Sequence, residues 1–511
     1  MGIVLIGTGL RLAYLVHCLP VCRADEAVFG LMTKHLIEGK GLPIYLYVAH
    51  YAGALICYLA ALPFLLFGAS VPLLKLTTYL FTLPTVVLVY LLAHSLSDRR
   101  LAILSALFMA IPPFLITWTG QYAGGGYPET LFFGTLSLFL THNLASRKIS
   151  QSREVRWVAL LGFLNGVGTW ILFSMIPYTL TAWTWMAHRM GKRFFKNLLP
   201  IFLAFYAIGI SPMVIYNIQR PLATFKRLGA NVMEVGSSEI SGKGGGELLG
   251  LCLSKSVSKL LGLPGNVLHV VENVWQMMRV DASLGLASTV WDILLALALG
   301  FLGFTVVKDR LRAKRWDMLA QVVGWMVLFL AVTGLTKTRY ISFLYPTFAI
   351  LLAGSILRVS SKRWFWAPLA ALFLSANLVN HLIALKAPES EDRFGELVAF
   401  LEAKGFRYGY TDYAAAYPIV FLTKERIIAS PAAGPLNVER VPAYTEKANQ
   451  AKEVFFIFEK DSEASQRFEE ALKARRISFK KEEVVRHAVY YDLSKRVYPG
   501  DLPLIRSFPV D

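Results

Sequence analysis

Charge is what this chain has little of. Only 17% of its 511 residues are Asp, Glu, Lys or Arg, 55% are hydrophobic, and the mean hydropathy is +0.50. A soluble domain of ordinary composition carries about 25% charged residues, so a single water-soluble globule is excluded and the chain reads as a polytopic membrane protein. Cysteine is equally scarce. Cys18, Cys22, Cys57 and Cys252 form no C-x-x-C pair, which excludes a disulfide scaffold and leaves four thiols in apolar surroundings. The N-terminus lacks a basic region and a cleavage site, so the first apolar run reads as a retained helix rather than a signal peptide. An internal repeat is also missing, which argues against a transporter built from inverted halves.

What charge there is has a sign and a pattern. The net charge is +18, yet the cations sit in short clusters between apolar runs, where a membrane topology puts them; nucleic acid is the weaker explanation. Runs long enough to cross a bilayer lie at 2–21, 71–95, 101–119, 128–145, 157–174, 175–190, 197–216, 285–307, 317–335, 340–357 and 364–385, eleven in all, with 51–68 ambiguous. The basic clusters are Arg99/Arg100, Arg147 to Arg156, Arg189 to Lys196, Lys308 to Arg315 and Arg358 to Arg363. Two spans separate each cluster from the next, so all face one side, the cytoplasm.

Parity then places the adjacent acids Asp25 and Glu26 outside, provided that 51–68 does not span. That run is short, holds Pro63 and is flanked by Gly53 and Gly68, and reads as interfacial or re-entrant. The outward parts are then 22–70, 120–127, 217–284, 336–339 and everything after about 386. The loop 217–284 joins a Gly-rich patch, Ser241 to Gly246, to an amphipathic stretch, and suits either a lid or a mobile connector. Beyond Ala387 the composition becomes that of a soluble α/β domain. Helices are expected around 394–401 and 462–476, and strands at 454–458 and 488–493.

Several outer residues suit chemistry, and each has a plainer use. Asp25 is either a helix N-cap or a general base towards a hydroxyl, with Glu26 about 100° round the helix as a second, positioning acid. Lys337 and Arg339 start a late span on the outer side, either snorkelling or holding a lipid phosphate. Tyr122, Glu129 and Tyr340 combine rings and an acid in a way that suits a sugar, although tyrosines also form the interfacial belt. His50 is a lone polar candidate before the ambiguous run.

The pattern Asp25-Glu26-Ala27-x-x-Gly30-Leu31-Met32, the apolar piece ending Leu66-Phe67-Gly68, and Lys337-Thr338-Arg339-Tyr340 continuing to Leu344-Tyr345-Pro346 resemble the membrane-embedded GT-C glycosyltransferases. The resemblance is to the protein O-mannosyltransferase and aminoarabinose-transferase group, glycosyltransferase family 39, and covers most of residues 1–385 in layout. It implies an inverting transferase that moves a sugar from a polyprenyl-phosphate donor to an acceptor hydroxyl. Asp25 matches the base, Glu26 the second acid, which orients the acceptor, and Lys337 and Arg339 the contacts to the donor phosphate. The sequence departs from the group at His50-Tyr51-Ala52-Gly53, where protein mannosyltransferases carry a His-Pro-Pro type of sequence. The tail is not a β-trefoil, and the Trp-Trp-Asp signature of oligosaccharyltransferases is missing.

The expectation is therefore a mainly α polytopic bundle of GT-C type over 1–385, carrying an extracytoplasmic α/β domain over 386–511, in the plasma membrane. Its partners would be a lipid-linked sugar, membrane lipids and a glycan, lipid or protein acceptor, without nucleic acid; no cofactor or metal is implied. A transporter or lipid flippase is the alternative. That class places charges in mid-membrane, whereas the charged candidates placed here, Asp25, Glu26, Lys337 and Arg339, collect at the outer rim.

Overall fold

The computed structural model describes residues 2–17, 21–146, 150–221, 223–225, 272, 317–333, 338–359, 363–386, 394–431 and 438–501. The expected span 285–307, most of the loop 217–284, Lys337, Cys18, Cys252 and residues 502–511 lie outside these. The chain divides into two compact units. One comprises Met1–Ala13, Tyr51–Gly53 and Thr78–Lys386; the other comprises Tyr14–His50, Ala54–Thr77 and Ala387–Asp511.

The first unit is helical. By length and apolar composition Val71–Leu96, whose residues 71–77 belong to the other unit, Arg339–Arg358 and Trp366–Lys386 can cross a membrane. Two bent pairs, Arg99–Ala110 with Phe114–Gln121 and Phe194–Gly209 with Ser211–Gln219, would each add one. Up to five of the eleven expected spans are thus long and apolar enough among the described residues. Gly2–His17 and Met318–Thr333 are apolar but shorter, and the expected span 175–190 is a helix of 15 residues, Ile176–Met190.

Proline explains the sharper bend, of 69°. Pro112 and Pro113 have no N–H, so the carbonyls of Phe108 and Met109, four residues earlier, lose their helical donors. Side chains replace them. Tyr345 Oη donates to Phe108 O at 2.8 Å, and Arg11 donates to Met109 O and Ala110 O, each at 3.2 Å. Asn377 Nδ2 donates to Ile111 O at 3.1 Å, and His381 Nε2 to Pro112 O at 2.8 Å. Arg11 is 2% exposed, and its charge is spent on the negative end of a helix, where a cation is favoured. Elsewhere in this unit glycine sets the packing. A Cβ on Gly162 would lie 2.3 Å from Phe202 O, on Gly166 2.3 Å from Tyr206 O, and on Gly209 2.3 Å from Phe163 O. Gly162 and Gly166 are one turn apart, so Gln151–Ile171 and Leu199–Gly209 meet backbone to backbone, as small-residue helix pairs do in membranes.

The second unit joins residues 14–50 and 54–77 to the tail. Its sheet has the order β2-β1-β3-β5-β4, with β1 at Tyr408–Tyr410, β2 at Ile428–Ser430, β3 at Phe455–Glu459, β4 at Lys480–Val484 and β5 at His487–Tyr491. β1 pairs parallel with β2 and β3, while β5 pairs antiparallel with β3 and β4. Phe456, Phe458, Phe468, Leu472 and Tyr490 fill the core on one face. The expected helices and strands of the tail are present as Gly395–Ala403, β3, Glu463–Ala474 and β5. Sequence reading missed β1 and β2, three residues each, and β4, whose Lys-Lys-Glu-Glu run suits an edge strand.

The helix Ala24–Ile37, which carries the acid pair, packs against Leu55–Phe67 and against Tyr413–Leu422 of the tail. Gly30 allows the second contact, because a Cβ there would lie 2.5 Å from the Phe421 ring. Leu55–Phe67 has 13 residues and includes Pro63; at 1.5 Å per residue it reaches about 20 Å, less than the ~30 Å hydrocarbon core.

Candidate functional site

The start of the Ala24–Ile37 helix decides what its acids do. Arg23, in extended conformation, is the N-cap residue, so Asp25 stands inside the first turn rather than at the cap. Glu26, at the third helical position, reaches back to accept the Arg23 N–H at 3.3 Å, the carboxylate half of a capping box. Its oxygens also take the Lys75 ammonium at 3.0 and 3.1 Å. Glu26 is 0% exposed and Lys75 6%. Beside them the Cys22 thiol is pushed well above its ordinary value, by burial first and the Glu26 charge second, so it stays protonated.

Asp25 faces different company. Its side chain is 38% exposed, and its Oδ1 accepts the Tyr413 hydroxyl and lies 3.9 Å from the Arg440 guanidinium. Arg440 Nε donates to Tyr413 Oη at 3.2 Å, and the guanidinium lies 5.5 Å from the centre of the Tyr413 ring. Arg440 is itself held, since Nη1 donates to Tyr47 O at 3.3 Å and its backbone N–H donates to Tyr417 Oη. Burial, and after it the Asp25 charge, push the Tyr413 phenol far above its ordinary value. It is therefore a fixed proton donor. Asp25 is thus a partly exposed carboxylate whose direction is fixed by hydrogen bonding.

A second polar cluster ties the far end of the same helix to the tail. Lys34 bridges Glu425 and, at 2.6 Å, Glu38; His35 Nε2 lies 3.1 Å from Glu425, and Tyr444 Oη donates to Glu425 at 2.9 Å. Burial alone would raise the Glu425 carboxyl, but hydrogen bonds from His35, Lys34 and Tyr444 outweigh it and hold Glu425 far below the usual carboxylate range. Ligand atoms of His35, Glu38 and Glu425 lie within 4.8 Å of one another, a spacing that would admit a metal ion. The chemistry fits poorly, because Lys34 and Lys40, the latter 2.7 Å from Glu38, already supply the positive charge.

The other residues singled out by sequence fall into two places. His50 is part of a short stretch in which Val48, His50 and Ala52 all have positive φ, 59°, 62° and 65°, a strained backbone that persists only where surroundings enforce it. Tyr122, Arg339, Tyr340 and Glu129 belong to the first unit. Tyr122 stacks on Trp118 at 5.4 Å and meets Tyr127 at 6.0 Å; Tyr127 meets Tyr340 at 6.4 Å, and Arg339 lies 5.2 Å from the Tyr340 ring centre. The structure thus brings Tyr122, Tyr340 and Arg339 into one aromatic group. The glycines of this loop serve close approach: Gly125 and Gly126 have φ of +81° and +76°, and a Cβ on Gly126 would lie 2.6 Å from Ile171. Glu129 is 2% exposed, and its Oε2 has no hydrogen-bond partner among the described residues.

Lys75, Tyr413 and Arg440 were not found from sequence. Lys75 left one signal, as the only charged residue between Val71 and Ser97, and an ionisable group inside such a run is a marker of a specific partner. Tyr413 and Arg440 left none, since a separation of 388 residues between Asp25 and Tyr413 is invisible to local pattern.

No family model and no curated protein sequence matches the chain. Solved structures do. ArnT from Cupriavidus metallidurans, bound to undecaprenyl phosphate, matches with a TM-score of 0.64 at 12% identity, over 96% of this chain and 98% of that one. The Archaeoglobus fulgidus oligosaccharyltransferase in complex with Zn and sulfate matches with a TM-score of 0.55 at 13% identity, over 89% and 67%. AglB from Archaeoglobus fulgidus, with an inhibitory peptide and a dolichol-phosphate, matches with a TM-score of 0.52 at 11% identity, over 89% and 68%. Over nearly its whole length, the chain has the GT-C fold of these transferases.

Proposed function

We propose that this protein is an inverting membrane glycosyltransferase that moves a sugar from a polyprenyl-phosphate donor to an acceptor hydroxyl on the outer face of the membrane. The observation that carries the reading is the environment of Asp25, a partly exposed carboxylate aimed by Tyr413 and Arg440 at the start of a buried helix. The GT-C fold supports it, as does the undecaprenyl phosphate bound to ArnT. In the step, the acceptor oxygen attacks the sugar C1 and its proton passes to Asp25. The bond from C1 to the phosphate oxygen breaks, and the polyprenyl phosphate leaves with the electron pair. A phosphate is a good leaving group, so the protein's task is to meet the charge that develops on it; Lys337 and Arg339 are assigned to that role.

Glu26 is assigned a different role from that of an acceptor ligand. A fully buried carboxylate paired with Lys75 and the Arg23 N–H suits holding the helix start, and with it the direction of Asp25. Tyr122, Tyr340 and Glu129 are proposed to contact sugar, and His50 to contact substrate. The test is transfer by the purified full-length protein from a panel of undecaprenyl-phosphate-linked sugars to hydroxyl acceptors. Product from at least one donor, with inverted configuration at C1, is the expected result. Movement of the intact lipid between leaflets without transfer from any donor would replace this reading with that of a flippase.

A further inference from the structure

Tyr413 and Arg440 follow β1 and β2 respectively. The strand order β2-β1-β3, all parallel, means that the chain leaves β1 towards one side and returns on the other. In such sheets the carboxyl ends of the strands flanking that reversal are where ligands bind. The reversal lies between β1 and β3; Tyr413 leaves β1 at that end, Arg440, further along the chain from β2, donates to its hydroxyl, and both reach the Asp25 carboxylate. Each is fixed by several contacts. Asp412 caps the helix that Tyr413 begins, accepting the Ala415 N–H at 2.8 Å. Arg440 has a side chain only 12% exposed and is bound to Tyr413, Tyr47 and Tyr417.

We infer that the soluble tail completes the catalytic site, with Tyr413 and Arg440 as positioning residues that orient the Asp25 carboxylate towards the acceptor hydroxyl. The inference rests on the transferase reading above and deepens it. Arg440 donates to the Tyr413 oxygen and so polarises the O–H that Asp25 accepts, a chain of hydrogen bonds in which each link strengthens the next. Arg440 alone would lie too far from Asp25 for a hydrogen bond, at 3.9 Å; acting through Tyr413 it sets the direction of one carboxylate oxygen.

The test uses the full-length protein and the variants Arg440→Gly, Arg440→Lys and Tyr413→Phe, with two readouts. In the transfer assay, using an undecaprenyl-phosphate sugar, Arg440→Gly and Tyr413→Phe are expected to lower kcat at least about tenfold with donor KM within about twofold. Added guanidinium ion should recover a large part of the loss in Arg440→Gly only, and Arg440→Lys should fall between that variant and the wild type. The second readout needs no activity. Labelling of Asp25 by a water-soluble carbodiimide and an amine, followed by mass spectrometry, should rise at least about threefold in Arg440→Gly and fall back with guanidinium, while labelling of the exposed Glu463 stays constant. Unchanged kcat, unchanged Asp25 labelling, or a loss that guanidinium does not reverse would overturn the positioning role. A rise in kcat would overturn it too, by showing that the tail blocks Asp25. Failure of the wild type to transfer any sugar would count against the transferase reading, while the labelling result still decides whether Arg440 governs Asp25.

Discussion

Glu26 lies fully buried with Lys75 against both of its oxygens, and removing one member of such a pair leaves the other charge stranded, typically at about 3–5 kcal/mol. Glu26→Gln is therefore expected to lower the melting temperature of the purified protein markedly, and the double change Glu26→Leu with Lys75→Leu to restore most of it. Asp25→Asn, at a partly exposed position, should leave melting nearly unchanged. The Glu425 cluster adds a pH dependence. Its carboxyl is held below the unfolded value, so its stabilisation is present above about pH 4.3 and lost as pH falls through that value towards the folded one. Lys34, Lys40, His35, Tyr444 and Glu38 all face it. Melting measured from pH 6 down to pH 3 should show a decline that is shallower in Glu425→Gln. Sequence could name Asp25 because a neighbouring motif marked it, and could have named Lys75 as a charge in an apolar run. It had no means of naming Arg440, whose place depends on a loop returning from the far end of the chain.

At the scale of elements, the helices owe their geometry to residues that look unremarkable in sequence. Gly162 and Gly166 read as two small residues in an apolar run; in the structure they are where a carbonyl of Leu199–Gly209 approaches to 2.3 Å of a Cβ position. Gly166→Leu is expected to separate the pair and reduce the yield of folded protein in detergent, since the overlap is with backbone rather than with a side chain that can turn away. Gly30→Ala meets the Phe421 ring, which can shift, and should cost about 1–3 kcal/mol. The broken helix at Pro112-Pro113 was legible as a proline pair but not as a bend of 69°, because the collar of Tyr345, Arg11, Asn377 and His381 that sustains it comes from three other helices. The tail strands β3 and β5 were legible from apolar runs, whereas β1 and β2 are too short to show a period.

For the whole molecule, the GT-C fold follows from a layout that sequence carried well: an acid pair after the first helix, a short apolar piece, and a late helix opened by basic residues. The topology rests on the 13-residue helix Leu55–Phe67 remaining on one side of the membrane. A cysteine at the exposed Leu42, in a variant lacking the four native thiols, should react with an impermeant maleimide added outside intact cells. Labelling only after the cytoplasmic side is opened would place the acid pair on the wrong face for the proposed chemistry. The tail belongs to one compact unit with residues 14–50 and 54–77, and it is within that unit that Asp25 acquires its hydrogen-bond partners. The central claim is that transfer depends on the Asp25 carboxylate acting as a base. The most direct measurement is kcat for transfer from an undecaprenyl-phosphate sugar by wild type and Asp25→Asn, each shown to melt at the same temperature. A loss of about 100-fold or more, the range a positioned general base supplies, is the expected result; equal turnover in the two proteins would contradict the account.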